Sequence, residues 1–304
     1  PLGVEAVMDK FGVPPEKVHW VIPVRAPPYP MPPERRFIKS PSATRDTSAV
    51  SGPAPVAMLD RFARFTFLAI VLAFGLALAE NHLLLLTSAV PVDVYEAGMP
   101  VLSDHIARGK SPFSRVSQPV YAAVYPPMYN LIAAPLVSLF GNGLAIHRWL
   151  AAAFIWLCVA VVLLATWHRR EDRLQALAAA LFTYSALLFY ATPIASPNSV
   201  GLFLYLLAIL VPWRYGFSNR SLIVSGICGI LAFYSKQYFV FSLATVSIYL
   251  FLFNSKSRAM GYAAVSGIAL LLSLAAVQAY HPLFLDNVIL TARDRKSTRL
   301  NSSH

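Results

Sequence analysis

Charged residues are scarce in this 304-residue sequence, and their scarcity narrows its class. Only 13% of the residues are charged, 57% are hydrophobic, and the mean hydropathy is +0.58. Soluble domains carry about a quarter charged residues. Several apolar runs approach or exceed the roughly 20 residues that cross a bilayer. The composition therefore excludes an ordinary soluble domain and predicts an all-α polytopic membrane protein.

Cysteine and metal-binding motifs are also nearly absent. The two cysteines, Cys158 and Cys228, lie in apolar runs and are expected to be buried free thiols. Asp104 and His105 are adjacent, but no further ligands follow at a spacing that suits a metal ion. The sequence therefore lends no support to a divalent metal, and we predict no cofactor.

The net charge of +11 does not come from one contiguous basic surface. Nucleic-acid binding needs such a surface for its phosphate contacts, so we do not expect a nucleic-acid partner. Short basic groups between apolar runs are instead typical of cytoplasmic loops beside anionic lipid. The groups are Arg169, Arg170 and Arg173; Arg214 and Arg220; and Lys256 and Arg258.

Composition divides the chain into three parts. Residues 1–57 hold about half of the 23 prolines and are predicted to be a disordered linker or an artefactual extension. Residues 58–293 form the predicted membrane domain, with a first external loop at residues 87–125. Residues 294–304 change abruptly to Ser, Arg and Asn, which is typical of an artefactual tail.

About eight apolar helices are predicted in the membrane domain. Arg61 and Arg64 precede the first and indicate a cytoplasmic start. If every run crosses, the basic loops fall on the non-cytoplasmic side, against the positive-inside tendency. We therefore interpret residues 127–140, a short run that contains Pro135, as a partial or re-entrant helix. The runs lie at residues 65–86, 127–140, 149–167, 174–190, 200–213, 221–235, 237–254 and 261–279.

The only long polar interval of the membrane domain follows the first apolar run. It concentrates Asp93, Glu96 and Asp104 ahead of a Tyr-Pro-Pro turn at residues 125–127. The sequence between the acids predicts an amphipathic helix at the membrane interface. We interpret this loop as the part of the chain that carries the chemistry, on the non-cytoplasmic face of the plasma or inner membrane.

Several patterns follow one another in a characteristic order across residues 60–290. They are an Asp-x-x-Glu pair, a Gly-x-x-Pro-Phe motif, YPPMYNLIAAPLVSLFG, Arg148, SPNSVGLFLYLLAIL and LAFYSKQYFVF. Their order resembles that of the GT-C fold glycosyltransferases that use polyprenyl-phosphate sugars, a group that includes the protein O-mannosyltransferases and the aminoarabinose transferases of lipid A. The sequence departs from this pattern at Ser196 and Asn198, where related sequences often have Arg and Asp. We expect the natural protein to continue past residue 293 with more spans.

The resemblance implies transfer of a sugar from a polyprenyl phosphate to a hydroxyl group of a glycan, lipid or protein acceptor. Asp93 matches the first-loop acid of the family and is expected to be the catalytic base. Its alternative role is to cap the following helix. Glu96 either completes the catalytic pair at the donor sugar or forms part of a capping arrangement.

The departing phosphate needs cations or hydrogen-bond donors. Arg108, Lys110 and Arg115 in the polar loop are candidates, as is Lys236 between two apolar runs. An ionisable residue in such a position is a functional hypothesis by default, although Lys236 also has the reach to snorkel to the interface. Tyr125 and Tyr129 are candidates for stacking on the sugar ring, and their alternative role is architectural.

A transporter or lipid flippase without transferase activity is the competing interpretation. Such proteins typically have internally repeated hydropathy and broken helices with ionisable groups at the membrane midplane. The sequence has no evident repeat, and its acids gather in one loop rather than inside the apolar runs. This pattern favours the enzyme.

Overall fold

A computed structural model describes much of the membrane domain. The chain divides into two compact units, residues 1–60 and residues 61–304. In the first unit only the start of one helix is described, so the account below concerns the second. The described residues are 54–88, 90–92, 96, 98–114, 124–167, 173–189 and 194–290. Among the residues singled out by the sequence, Asp93, Arg115, Arg169, Arg170, residues 1–53 and the tail at 294–304 lie outside them.

The described residues form helices and no strand. Each of the eight predicted apolar runs contains an α-helix, and one more lies in the polar loop. A 3-10 turn at Gln237–Val240 and a π turn at Asp286–Leu290 accompany them. The α-helices are α1 (Ala54–Thr87), α2 (Gly98–Ala107), α3 (Met128–Phe140), α4 (Leu144–Thr166), α5 (Arg173–Phe189), α6 (Asn198–Arg214), α7 (Asn219–Ser235), α8 (Phe241–Phe253) and α9 (Lys256–Tyr280).

Three helices of the described chain are long and apolar enough to cross a membrane: α1 from Arg61 onward, α4 and α9. The apolar helices α3, α5, α6 and α8 are shorter. Large apolar side chains face outward, among them Phe182, which is 80% exposed, and Leu164, which is 70% exposed. Such surfaces mark contact with a membrane. The chain is therefore a helical membrane protein, with fewer full-length candidate spans than the eight predicted.

One end of the bundle, which we call the polar end, is formed by the ends of α1, α7 and α9 and the starts of α4 and α6. Contacts between residues far apart in sequence define it. They are Arg148 Nη1 with the Leu85 carbonyl at 2.9 Å, the Ala195 N–H with Glu96 Oε1 at 3.0 Å, Lys236 Nζ with Asn198 Oδ1 at 2.8 Å, and Gln237 Nε2 with the Val288 carbonyl at 2.5 Å.

The opposite end, the basic end, is formed by the ends of α4, α6 and α8 and the starts of α5, α7 and α9. Arg258 in the first turn of α9 donates to the Phe217 carbonyl after α6 and to Asn219 Oδ1 at the start of α7. The Phe217 ring stacks on Tyr249 near the end of α8, with centroids 4.6 Å apart. The helices from α4 to α9 therefore alternate in direction.

Helix α3 does not run along α4, although a turn of only three residues joins them. An antiparallel hairpin would place Tyr129 beside the middle of α4. Instead the Tyr129 hydroxyl donates to the carbonyl of His147, in the first turns of α4, at 3.0 Å. Both ends of α3 therefore lie at the polar end. That residues 127–140 do not cross the membrane stays a prediction.

Small residues allow the helices to pack closely, as is usual in membranes. At Gly201 in α6, a Cβ atom would lie 2.3 Å from the ring of Phe239 in the 3-10 turn. At Gly229 in α7, it would lie 2.3 Å from Leu243 in α8. The first approach holds the 3-10 turn at Gln237–Val240 against α6, and the second holds the start of α8 against α7. The side chain of Lys236 is thereby placed at the polar end.

Candidate functional site

A buried ion pair ties the polar loop to the helix bundle. Glu96 is completely buried, and Arg148 is 1% exposed. Arg148 Nε donates to Glu96 Oε1 at 2.7 Å, and Arg148 Nη2 donates to Glu96 Oε2 at 2.8 Å, so the pair is bidentate. The backbone N–H groups of Val92 and Ala195 donate to the same carboxylate at 2.9 and 3.0 Å. The carboxylate of Glu96 therefore accepts four hydrogen bonds.

The remaining donors of Arg148 bind the end of α1. They reach the backbone carbonyls of Leu85 at 2.9 Å and Val90 at 2.8 Å, and that of Ser88 through a further short contact. The last carbonyls of a helix have no partners within the helix, and a cation is favourable there because of the helix dipole. Arg148 therefore joins α1, α4 and the polar loop.

The environment of Glu96 favours its ionised form. Burial alone would raise the pKa of this carboxyl group. The hydrogen bonds from Arg148, Ala195 and Val92 outweigh burial and hold the pKa below its ordinary value of 4.5. A carboxylate that is ionised at neutral pH and accepts four hydrogen bonds is well suited to position its loop and poorly suited to exchange protons.

A second cluster surrounds Lys236, where α7 ends and the 3-10 turn begins. Its ammonium group donates to Asn198 Oδ1 at 2.8 Å. The same group lies 4.9 Å from the centre of the Tyr125 ring and 5.0 Å from that of Tyr238. Each of these partners is electrically neutral. The structure thus brings together Tyr125 and Lys236, two of the predicted binding residues.

The segment at residues 194–198 connects the two clusters. Ala195 binds Glu96 through its backbone, and Asn198, three residues later, binds Lys236 through its side chain. Three buried side-chain atoms have no hydrogen-bond partner within the described residues: Ser199 Oγ, directly after this segment, and His82 Nε2 and Asn287 Nδ2 elsewhere. Buried polar groups are normally satisfied, so a water or another polar atom beside each of these atoms would be stabilised.

The loop after α2 packs against the end of α9. Ser111 Oγ lies 2.8 Å from His281 Nδ1, and Phe113 packs edge-on against Phe284 with ring centres 5.1 Å apart. Lys110 lies in this loop and is exposed at the surface. The predicted cation at Lys110 therefore lies at the polar end, but no described contact joins it to Lys236.

Tyr129 is placed differently from Tyr125. It is completely buried, and its hydroxyl is bound to the carbonyl of His147. A ring without exposed surface cannot stack on a sugar in this arrangement, so the architectural alternative fits Tyr129. Tyr125 is only partly buried and remains a candidate for sugar contact.

Sequence reasoning missed two residues that organise the site. Arg148 was noted in the family pattern but not chosen as a site residue, and Asn198 was noted only as a departure from that pattern. A signal did exist for Arg148, since a charged residue so near a long apolar run needs a partner.

Residues 54–290, within their described parts, contain no group of three His, Cys, Asp or Glu side chains that could hold a metal ion. No protein-family model matches the sequence, and no curated protein or solved structure matches it either.

Proposed function

We propose that this protein is a membrane glycosyltransferase that moves a sugar from a polyprenyl-phosphate carrier to an acceptor hydroxyl group. The reaction takes place at the polar end, on the non-cytoplasmic face. The order of the sequence patterns supports the reaction class. The observation that carries the proposal is the bridge at residues 194–198, which connects the loop of the acids to the cluster around Lys236.

Asp93 is the catalytic base in this proposal. It lies outside the described residues, but it directly follows Val92, whose N–H binds Glu96. The Glu96 carboxylate is fully engaged, so Glu96 acts as a positioning residue that holds the loop of Asp93 against the bundle. The base takes the acceptor proton as the acceptor oxygen forms a bond to the anomeric carbon. The bond between that carbon and the phosphate oxygen breaks, and the lipid phosphate leaves with its electron pair.

Lys236 is the cation that receives the departing phosphate. Its described partners are an amide oxygen and two aromatic rings, so its positive charge is not neutralised within the cluster. An Asp in place of Asn198 would form an ion pair with Lys236 and reduce its attraction for an anion. The departure from the family pattern at Asn198 is therefore compatible with phosphate binding.

Membrane topology supports the same assignment. If α3 does not cross, then α1 and the helices from α4 to α9 cross in alternating directions. The described basic residues Arg173, Arg214, Arg220, Lys256 and Arg258 then fall at one end, which the positive-inside tendency assigns to the cytoplasm. The polar end, with the proposed site, faces the other side, where α2 lies along the membrane interface.

Replacing Asp93 by Asn tests the proposal. Membranes that contain the protein are supplied with a panel of radiolabelled polyprenyl-phosphate sugars in the presence of cell-envelope lipids, glycans and proteins. We expect transfer of label from the carrier to fall by about 100-fold or more, because a general base contributes about 10²–10⁴-fold. Lys236→Met should weaken use of the carrier substrate.

Asp104→Asn is the matched control, because Asp104 pairs with Arg108 on the surface of α2 at 2.9 Å. Its transfer rate should stay close to that of the unchanged protein. Equal activity of Asp93→Asn and the unchanged protein would remove the assigned base. Movement of a labelled lipid between leaflets, without any loss of sugar from the carrier, would establish the flippase instead.

A further inference from the structure

The basic end carries an apolar groove that is separate from the proposed catalytic site. The groove lies between α7 and α9 and encloses about 350 Å³, within the range of about 300–1,000 Å³ typical of ligand pockets. The residues that line it are mostly apolar, and some of them are small. The lining includes Ile223, Ile227, Val265, Gly226 and Gly261.

A cation stands at the mouth of this groove. Arg258 lines it together with Asn219. The guanidinium group donates to Asn219 Oδ1 at 3.3 Å, to Asn254 Oδ1 at 3.2 Å and to the Phe217 carbonyl. These three acceptors are all neutral, so they orient the guanidinium group without cancelling its charge.

The stretch of sequence that forms the groove supplies no negative charge, since Glu171 and Asp172 precede it. No Asp or Glu occurs between Asp172 and Asp286, a stretch that includes the whole of α6, α7, α8 and α9. Two further basic residues are exposed close in sequence to the groove: Arg220 follows Asn219, and Lys256 is two residues before Arg258. The residues around Arg258 therefore attract an anion, and the groove beside them accommodates an apolar chain.

We propose that this groove binds an anionic phospholipid, with one acyl chain between α7 and α9 and the phosphate on Arg258. Charge complementarity identifies the occupant, because a neutral lipid or a plain apolar helix would leave the cation without a counter-charge. Basic pockets between membrane helices are suited to anionic headgroups, and Arg matches phosphate oxygens by bidentate hydrogen bonding.

The test uses the full chain, purified in detergent and titrated with dioleoyl phosphatidylglycerol or dioleoyl phosphatidylcholine. Bound lipid is counted by native mass spectrometry. We expect phosphatidylglycerol to bind the unchanged protein more tightly than phosphatidylcholine. Arg258→Gln should weaken phosphatidylglycerol binding by about tenfold or more, because hydrogen bonds to charged groups are the stronger ones. Arg61→Gln, which removes an exposed charge away from the groove, should have little effect.

Gly261→Leu tests the acyl-chain part of the site without removing any charge. A Cβ atom at Gly261 meets nothing within 4 Å, so the new side chain has room to fill the groove. Leu also favours the helix over Gly. We expect phosphatidylglycerol binding to weaken by about tenfold as the chain is displaced. Gly267→Leu is the matched control, since Gly267 is on the same helix, has equally open space and does not line the groove.

Three outcomes would overturn the proposal. Equal loss in Arg258→Gln and Arg61→Gln would indicate only general attraction to a basic surface. Equal binding of the two lipids would remove the role of Arg258. A protein dimer that dissociates in Gly261→Leu, with lipid binding unchanged, would assign the groove to a second copy of the chain.

Discussion

The two ends of the helix bundle differ in how their charged side chains are compensated. At the polar end, Glu96 and Arg148 are buried together, and every described contact of the carboxylate is a hydrogen bond. At the basic end, Arg214 and Arg220 are exposed in a stretch without acids. A buried charge must be compensated inside the protein, whereas an exposed charge is compensated by water, salt or lipid. The buried ion pair at the polar end is therefore stabilised by the protein itself, whereas the exposed charges at the basic end depend on their surroundings.

The largest expected effect is that only the polar end of the bundle is accessible from outside the cell. Single cysteines replacing Lys110 at the polar end and Arg220 at the basic end are exposed to a membrane-impermeant thiol reagent in intact cells. We expect Lys110→Cys to be labelled at once and Arg220→Cys to be labelled only after the membrane is opened. The parent protein is the control, because Cys158 and Cys228 are buried. Labelling of both positions from one side would contradict the separation of the two ends.

Loss of the buried cation is the next largest effect. Arg148→Met leaves Glu96 buried without its counter-charge and frees the end of α1. We expect a loss of about 3–5 kcal/mol in the free energy of unfolding, measured by denaturant titration in detergent. The double replacement Arg148→Met with Glu96→Met should recover part of this loss, because no isolated charge remains. A single replacement that unfolds like the unchanged protein would show that the pair does not hold the polar end.

A smaller effect is expected where α6 meets the 3-10 turn. Gly201→Ala places a methyl group against Phe239 and should cost about 1–3 kcal/mol, as overpacking usually does. The measurement is again denaturant unfolding. Gly267→Ala is the control and should be neutral or stabilising, since it has open space and a better helix former. An equal change in the free energy of unfolding for Gly201→Ala and Gly267→Ala would mean that the 3-10 turn moves away from the new methyl group at little cost.

The pH dependence of Glu96 gives the smallest and most specific effect. Because the folded state holds the pKa of Glu96 below 4.5, its charged form stabilises the fold above that value. This contribution is lost as the pH falls from 4.5 through the lowered pKa, since the unfolded state then binds a proton more readily. The free energy of unfolding, measured from pH 6 downward, should fall more steeply for the unchanged protein than for Glu96→Gln. Parallel curves would contradict this role.

The apolar runs were sufficient to predict where the helices lie, but not where all of them begin. Helix α9 begins at Lys256, five residues before the predicted run, because the Ser255 hydroxyl accepts the Arg258 N–H and caps it. Helix α1 begins at Ala54, well before the run at 65–86. Hydropathy identifies the part of a helix that contacts lipid, but it does not identify polar helical turns that extend beyond that part.

The site was predictable in part. Lys236 was identifiable as an ionisable residue within apolar sequence, and Tyr125 by its place beside two prolines. Their contact was not, since residues more than 100 positions apart meet only when α7 and the polar loop fold to the same end. Tyr125 and Tyr129 look equivalent in sequence, yet packing buries one of them against His147 and leaves the other beside Lys236.

The amino-acid sequence by itself determined the helical membrane class, the concentration of acids in one loop and the spacing of basic groups between apolar runs. These are local properties, because hydropathy and charge act residue by residue. Only the tertiary structure decided that Arg148 binds Glu96, that α3 stays at one end and that Arg214, Arg220 and Arg258 lie at the other. Those outcomes depend on which distant segments satisfy each other's buried polar groups, and no local pattern contains that information.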